Sequence, residues 1–369
     1  GNEYLANSYL KIFFNRNILQ IVDDLKYVRP SILMSVPRIY ETVYSKLNTQ
    51  LAKKGAIARY VFDWAVEVGW RRFCKANGLP VEHSWRECFD SLVADWLDKK
   101  VGSSLRAVFG GIKPHAFISG GAALNQTVAK TFIGLGIQIF QGYGMTETSP
   151  ILAVNKENQN DPSTVGMPLP NMQLRIGDND ELQVKGPCVM KGYWNRPDAT
   201  ADVFTEDGWL RTGDQADILP SGHVRIKGRI KEIIVTSTGE KIPPADLEMA
   251  IETDPMFSQV MAVGEGLPYV SILAVLSKEH WMDLAKELNL DPNDPKSLSA
   301  KLLHQNLLRR VKKATKGFPQ YGVPRALILT LTPWTIENGM LTPTLKLKRH
   351  IIKARFQDEI TKLYENHGA

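Results

Sequence analysis

Two stretches, Ala116-Phe-Ile-Ser-Gly-Gly-Ala122 and Ile137-Gln-Ile-Phe-Gln-Gly-Tyr-Gly144, share one pattern. In each, a short apolar run leads into a pair of glycines, which is typical of a buried strand that ends in a turn. The residues between them have helical spacing, so the chain alternates strand, helix and strand, as in a parallel α/β sheet. Ligands of such sheets bind at the carboxyl ends of the strands, where both glycine turns are predicted to lie.

Beyond these stretches, the pattern changes towards the C-terminus. Residues 151–230 predict short antiparallel strands with many turns, including a hairpin with Ser221-Gly222 at its tip. Residues 232–369 predict a compact α+β region that ends in a long helix over residues 348–364. The chain is therefore expected to combine parallel α/β, antiparallel β and α+β segments.

These changes predict an α/β protein with two domains. Residues 1–230 are expected to form most of a large N-terminal domain, which holds the parallel α/β sheet and a β-rich subdomain. Residues 231–369 are expected to form a small, mobile α+β domain, with a hinge near residues 229–232. A length of 369 residues is enough for two domains.

The composition is that of a globular protein, with 43% hydrophobic and 23% charged residues. The net charge of +6 fits an anionic substrate, an anionic membrane surface or nucleic acid. No interleaved basic and aromatic face supports nucleic acid, so we expect none as a partner. Three scattered cysteines and the lack of an apolar run of roughly 18 residues predict a cytoplasmic protein. Peripheral contact with the inner face of a membrane stays open.

The segment Gln141-Gly-Tyr-Gly-Met-Thr-Glu-Thr-Ser-Pro150 carries the sharpest chemical signal. Its glycines let the backbone approach a ligand, and Tyr143 offers a flat face. The Thr146 hydroxyl could hold a phosphate oxygen and the Glu147 carboxylate could hold Mg²⁺. The alternative is purely structural, with Thr146 as the N-cap of the next turn. The residues alone do not decide between the two interpretations.

A second segment, Asp207-Gly-Trp-Leu-Arg-Thr-Gly-Asp214, is followed about fifteen residues later by Gly228-Arg229-Ile-Lys231. An acidic side chain such as Asp214 can accept hydrogen bonds from the vicinal hydroxyls of a ribose. The Arg229 guanidinium could add donors to the same sugar or to a phosphate. A surface loop is the alternative for this segment.

Taken together, the motifs resemble the adenylate-forming superfamily of acyl-CoA synthetases, luciferases and peptide-synthetase adenylation domains. The matching segments lie in the family's order: Ser119-Gly-Gly-Ala-Ala123, Gly142-Tyr-Gly-Met-Thr-Glu147, Gly192-Tyr-Trp-Asn-Arg-Pro-Asp198, Gly208-Trp-Leu-Arg-Thr-Gly-Asp214, Gly228-Arg-Ile-Lys231 and Ser237-Thr-Gly-Glu-Lys-Ile-Pro243. Ser35-Val-Pro-Arg-Ile-Tyr40 and the ending Leu341-Thr-Pro-Thr-Leu-Lys-Leu-Lys-Arg349 resemble the long-chain fatty-acid branch. Other branches often place Ser-Gly before the C-terminal lysine, where this chain has Thr344 and Leu345.

The resemblance implies a long-chain fatty acid–CoA ligase that uses ATP, Mg²⁺ and coenzyme A. It implies that a fatty acid is first joined to AMP and then transferred to the CoA thiol. In the large domain, the implied nucleotide contacts are Gly120, Gly121, Ala122, Tyr143, Gly144 and Thr146. Glu147 would hold Mg²⁺.

The remaining implied roles fall towards the C-terminus. Asp214 and Arg229 would bind the ribose, and Lys231 occupies the family's hinge position. Lys346 would bridge the carboxylate and the phosphate during adenylation, and Gly239 lies on the loop that faces CoA. On charge pattern alone, Lys346 would be a solvated surface residue. For the basic residues 309–316, the favoured interpretation is likewise a solvated surface face. The alternative is a contact for CoA phosphates or for an anionic membrane.

The family also carries a Ser/Thr/Gly-rich loop that ends in Lys-Gly and wraps the β- and γ-phosphates. No such stretch occurs among the 369 residues. We therefore expect a fragment that begins inside the large domain and that is a poor catalyst of adenylation by itself. Two alternatives stay open: an enzyme that loads an acyl carrier protein, and a catalytically silent fragment.

Overall fold

The computed structural model describes residues 11–16, 20–81, 87–108 and 116–365. The described chain forms two compact units, each assembled from separate ranges. The first unit comprises Gly1–Leu174, Val184–Asp202 and Ile218–Arg225. The second comprises Arg175–Gln183, Val203–Asp217 and Ile226–Ala369. The predicted division into residues 1–230 and 231–369 remains a prediction.

Helices and strands are both well represented in the described residues. The helices are α1 Ile21–Val28, α2 Pro37–Lys54, α3 Ala56–Asn77, α4 Glu87–Leu97, α5 Ser103–Val108, α6 Gln126–Gly134, α7 Pro197–Val203, α8 Pro244–Ile251, α9 Lys278–Glu287, α10 Lys301–Ala314, α11 Arg349–Arg355 and α12 Gln357–Glu365. The strands are β1 Ile32–Ser35, β2 Ala116–Ser119, β3 Ile139–Gly144, β4 Ile151–Val154, β5 Met167–Pro168, β6 Gln173–Ile176, β7 Glu181–Lys185, β8 Leu210–Ile218, β9 Val224–Arg229, β10 Ile234–Val235, β11 Lys241–Ile242, β12 Phe257–Val263, β13 Ser271–Leu276 and β14 Ala326–Thr330.

A five-stranded sheet with the order β1-β2-β3-β4-β5 organises the first unit. Its first three strands are parallel, and their register places Ser35, Ser119 and Gln141 side by side. The buried ring of Tyr40 lies 6.0 Å from that of Phe117 and 5.9 Å from that of Phe132, centroid to centroid. The prediction of an α/β fold from alternating strands and helices is confirmed.

The predicted glycine turn at Gly142 to Gly144 is wrong, because strand β3 runs through both glycines to its end. This last part of β3 pairs antiparallel with β4, with Gly142 opposite Val154 and Gly144 opposite Ile151. A Cβ atom at Gly144 would overlap the carbonyl group of Pro150. The glycine is therefore required by a close backbone approach and not by a turn.

A four-stranded sheet has the order β6-β7-β8-β9. The predicted hairpin joins β8 to β9, and the N–H of Leu219 donates to the carbonyl of His223 across it. Gly222 has a φ of 83°, a left-handed conformation that favours glycine. The hairpin predicted at Ser221-Gly222 is confirmed.

A three-stranded sheet with the order β12-β13-β14 organises the second unit. All six residues of the central strand β13 are buried, because apolar side chains pack on both faces of the sheet. One apolar cluster includes Trp281 and the other includes Trp334. Within the described residues, no helix is both long enough and apolar enough to span a membrane.

Candidate functional site

The carboxyl ends of β2 and β3 hold the first group of predicted site residues. Gly121 follows β2 with a φ of 86°, so the chain turns there in a conformation that favours glycine. The buried side-chain amide of Gln141 accepts a hydrogen bond from the Leu124 N–H at 3.1 Å, which ties this turn to β3. Gly120 lies beside the Gly142 carbonyl, and Ala122 is exposed. The structure thus brings the first glycine segment next to the segment that contains Tyr143.

Thr146 and Glu147 lie in a single 3₁₀ turn, Thr146–Thr148, directly after β3. The fully buried Thr148 hydroxyl accepts from the Met145 N–H at 3.2 Å and donates to the Pro150 carbonyl at 2.9 Å. These bonds fix the turn from inside. The interpretation of Thr146 as an N-cap is wrong, because Met145 occupies that position. Within the described chain, no protein group bonds to the exposed Thr146 hydroxyl.

Glu147 is held by a tyrosine to which our sequence-based interpretation assigned no role. The Tyr193 hydroxyl donates to Glu147 Oε1 at 2.7 Å, and the Met190 N–H donates to the Glu147 carbonyl at 2.8 Å. The hydrogen bond to Glu147 raises the pKa of Tyr193 above its ordinary value of 10.0. One carboxylate oxygen is therefore fixed, while Oε2 has no partner among the described residues. Tyr193 lies within the family motif Gly192–Asp198, and this motif was the sequence signal that could have identified it as a site residue.

Asp214 and Arg229, predicted to act together, form an ion pair between β8 and β9. Arg229 Nε lies 3.3 Å from Asp214 Oδ1. The Asp214 side chain is 7% exposed and that of Arg229 is 57% exposed. The Thr212 hydroxyl donates to the Leu182 carbonyl at 2.7 Å and accepts from the Asp214 N–H at 3.1 Å. The Thr212 hydroxyl thus fixes the Asp214 backbone, while the exposed Arg229 guanidinium lies beside the buried carboxylate.

Three predicted residues of the second unit are exposed and lie in tight turns. Lys231 lies in the 3₁₀ turn Ile230–Glu232 between β9 and β10. Gly239, with a φ of 84°, lies in the hairpin between β10 and β11. Lys346 lies in the turn that precedes α11, between the bridged residues Leu341 and Leu347.

Arg349, three residues after Lys346, anchors that segment to the domain core. Its two terminal nitrogens bond to the two Glu248 carboxylate oxygens at 2.7 and 2.6 Å. Glu248 Oε1 also accepts from the Ala262 N–H at 2.6 Å, and Arg349 Nε lies 3.4 Å from Glu232 Oε2. Burial raises the pKa of Glu248, and the Arg349 charge opposes that rise. No sequence pattern predicts this pair, since its members are 101 residues apart.

The basic residues 309–316 lie along α10 and just after it. Arg310 is partly exposed and pairs with Asp254, with its Nη1 at 3.1 Å from both carboxylate oxygens. Lys312 and Lys313 are exposed in the last turn of the helix, where cations suit the helix dipole. Most of this group is therefore a solvated face, as the first interpretation predicted, while Arg310 is a structural ion pair.

Comparison with known proteins agrees with this architecture. Residues 9–194 match the family model described as AMP-binding enzyme, and residues 231–368 match the model for the AMP-binding enzyme C-terminal domain. The chain therefore belongs to the AMP-binding enzyme family, which confirms the adenylate-forming superfamily that its motifs resemble.

Among curated relatives, the long-chain-fatty-acid–CoA ligase FadD15 of Mycobacterium bovis is 31% identical over 373 residues. That match covers 97% of this chain and 58% of the relative. The long-chain-fatty-acid–[acyl-carrier-protein] ligase AEE15 of Arabidopsis thaliana is 28% identical, with 94% of this chain and 52% of the relative covered. The chain thus spans little more than half the length of these relatives.

Among solved structures, the adenylation domain of a carboxylic acid reductase from Segniliparus rugosus, in complex with AMP and a co-purified carboxylic acid, is similar with a TM-score of 0.68. It is 22% identical, and the match covers 96% of this chain and 50% of that one. The corresponding domain from Mycobacterium chelonae has a TM-score of 0.70 at 22% identity, covering 95% and 49% of the two chains. At this identity the likeness supports the shared fold.

Proposed function

We propose that the protein containing this chain is a long-chain fatty acid–CoA ligase. Its first step joins the fatty-acid carboxylate to the α-phosphate of ATP and releases pyrophosphate. Its second step lets the CoA thiol attack the acyl-adenylate carbonyl and releases AMP. Neither step needs a protein nucleophile, so the protein would act by positioning and by charge stabilisation. The names of curated relatives support the fatty-acid substrate.

The observation that carries this proposal is the arrangement after β3. An exposed Thr146 hydroxyl with no described protein partner stands beside Glu147, whose carboxylate is held on one oxygen by Tyr193. We assign to Thr146 a hydrogen bond to the adenylate phosphate. The half-buried face of Tyr143 would stack on adenine, beside the backbone of Gly120 and Gly121.

Glu147 fits the Mg²⁺ ion that this chemistry implies. Mg²⁺ is usually bound by one or two carboxylates together with substrate phosphates, and Glu147 Oε2 is the oxygen that Tyr193 leaves available. Within the described residues, no group of three or more His, Cys, Asp or Glu side chains could hold a metal by itself. Glu147 would therefore hold Mg²⁺ together with the phosphates of ATP, and the ion would supply charge neutralisation.

In the second unit, the roles follow from placement and charge. Asp214, fixed by Thr212, would accept the ribose hydroxyls beside Arg229. The exposed ammonium group of Lys346 would neutralise the charge that develops as the carboxylate and phosphate are joined. Gly239 would face the pantetheine of CoA, and Lys231 would be the hinge between the states for the two steps.

The first test is exchange of labelled pyrophosphate into ATP, measured with a series of fatty acids. Exchange should depend on the acid and should be strongest with long chains. A protein that exchanges pyrophosphate only in the presence of amino acids or aromatic acids would contradict the substrate assignment.

The acyl acceptor is tested next, by competition between CoA and acyl carrier protein for supplied acyl-adenylate. Preferential acylation of the carrier protein would favour the second candidate, which the Arabidopsis relative represents.

A cytoplasmic enzyme that touches the inner face of a membrane without crossing it suits this substrate, because long acyl chains partition into bilayers. The exposed Lys312 and Lys313 provide charge for an anionic surface. Flotation with phosphatidylserine vesicles should be lost at high salt, while failure to float at low salt would remove the membrane from the proposal.

A further inference from the structure

Two five-residue turns in the second unit have the same backbone hydrogen bonds. They are Thr236-Ser-Thr-Gly-Glu240 and Thr342-Pro-Thr-Leu-Lys346. In each, the N–H of the first threonine donates to the carbonyl of the fifth residue, at 3.0 and 2.8 Å respectively. The N–H of the fourth residue donates to the carbonyl of the first, at 2.9 and 2.8 Å. The two turns are thus closed in the same way, although they are separated by about a hundred residues.

The side-chain hydrogen bonds of the threonine hydroxyls are also the same in the two turns. Oγ1 of the first threonine accepts from the N–H of the fifth residue, at 3.2 Å for Glu240 and 3.0 Å for Lys346. The same hydroxyl shares a hydrogen bond with the third-position threonine, at 2.8 Å to Thr238 and 3.0 Å to Thr344. In each turn, the first threonine hydroxyl therefore satisfies the backbone amide of the last residue and is itself paired with the third-position hydroxyl. Such local side-chain bonds define a turn independently of any sheet.

The fourth residue is left-handed in both turns, with a φ of 84° at Gly239 and 61° at Leu345. Glycine adopts this conformation freely, but a leucine there costs about 1–2 kcal/mol. Leu345 is held in place because its side chain packs against the cluster around Trp334. The second turn is therefore kept in a strained shape by its hydroxyl pair and by packing. That strain persists at the residue directly before Lys346.

We propose that Thr236 and Thr342 are matched positioning residues, one for each half-reaction. The inference rests on the proposed function, in which Lys346 serves adenylation and the Gly239 loop serves thioester formation. The Thr342 hydroxyl fixes the backbone from which the Lys346 side chain extends. The Thr236 hydroxyl fixes the loop that faces CoA. We assign neither threonine a direct contact with a substrate.

The two substitutions should therefore produce opposite defects. Thr342→Val removes the acceptor for the Lys346 N–H and the partner of Thr344, and a shift of about 1 Å can cost about 100-fold in rate. We expect pyrophosphate exchange to fall about 10- to 100-fold, while supplied acyl-adenylate reacts with CoA within about twofold of wild type. Thr236→Val should give the reverse. Serine at either position keeps the hydroxyl and should restore the rate.

The matched control is Thr361→Val, which removes an exposed hydroxyl bonded to the Gln357 carbonyl in α12. It should leave both half-reactions unchanged. Hydrogen exchange of a peptide covering residues 342–348 gives a readout without turnover, and it should be faster in Thr342→Val only. Equal loss of both half-reactions in either variant, or no loss in an active parent, would overturn the positioning role. A wild-type parent without acid-dependent exchange would instead overturn the proposed function, and this inference with it.

Discussion

Removal of Arg349 tests what holds the Lys346 segment to its domain. Arg349 is the first residue of α11, and its guanidinium makes two parallel bonds to the Glu248 carboxylate. The Glu248 side chain is 9% exposed and that of Arg349 is 25% exposed. Arg349→Ala would leave Glu248 buried, with the Ala262 N–H as its remaining hydrogen-bond donor among the described residues.

The expected loss of stability follows from this burial. Removing one partner of a buried ion pair costs about 3–5 kcal/mol, because the other charge stays buried without compensation. Replacing both partners by apolar residues should cost far less, so Glu248→Leu with Arg349→Leu should be more stable than Arg349→Ala. Arg355→Ala, on an exposed position of the same helix, is the control and should change stability by less than about 0.5 kcal/mol.

The pH dependence has a definite sign. Burial raises the pKa of Glu248 above its ordinary value of 4.5, and loss of Arg349 removes the charge that opposes this rise. An acid with a raised pKa in the folded state binds its proton more tightly there, so protonation favours folding. The stability that protonation of Glu248 contributes is fully present below the pKa of Glu248 in the unfolded chain. It is lost as the pH rises through the pKa of Glu248 in the folded protein. The loss of stability caused by Arg349→Ala should therefore be smaller near pH 5 than near pH 8.

Native-state hydrogen exchange of β12 is the assay, because the Ala262 amide is itself bonded to Glu248 and the signal is local. Global urea unfolding of a two-unit chain need not be two-state. A loss of about 3 kcal/mol corresponds to β12 exchange more than about 100-fold faster. Exchange within about threefold of wild type, or a deficit that shrinks as the pH rises, would refute the reasoning.

Two further substitutions probe the proposed site. Tyr193→Phe removes the hydroxyl that holds Glu147, so the Mg²⁺ concentration for half-maximal pyrophosphate exchange should rise about tenfold or more, with little change in thermal stability. An unchanged Mg²⁺ dependence would show that Tyr193 does not position Glu147. Lys231→Pro fixes φ near −65° at the proposed hinge, so adenylation should persist while thioester formation falls. Equal loss in both steps, or none, would remove Lys231 from that role.

Local sequence patterns predicted several elements because their causes are local. The apolar run before Gly120 gave β2 at Ala116–Ser119, and Ser221-Gly222 marked the hairpin between β8 and β9. The long helix predicted over residues 348–364 is instead two helices, which meet at Phe356 with a φ of −109°. Helical spacing continues across that break, so the hydrophobic period did not reveal it.

Features that depend on distant residues were missed. Strand β12 has no regular alternation of buried residues, because Val260 and Ala262 pack into one apolar cluster while Met261 and Val263 pack into the other. The hydrogen bond from Tyr193 to Glu147 joins residues 46 apart. No local pattern encodes such contacts. The left-handed Leu345 did leave a signal, since other branches of the family place glycine at that position.

We propose that Lys346 stabilises the charge that develops as the carboxylate is joined to the α-phosphate, and that it has no part in the transfer to CoA. The decisive measurement compares Lys346→Ala with wild type in the full-length protein, for pyrophosphate exchange and for the reaction of supplied acyl-adenylate with CoA. Because loss of one preorganised charge contact typically costs about 100- to 1000-fold, exchange should fall by that factor while thioester formation stays near normal. An equal fall in both half-reactions, or an undiminished exchange rate, would contradict the account.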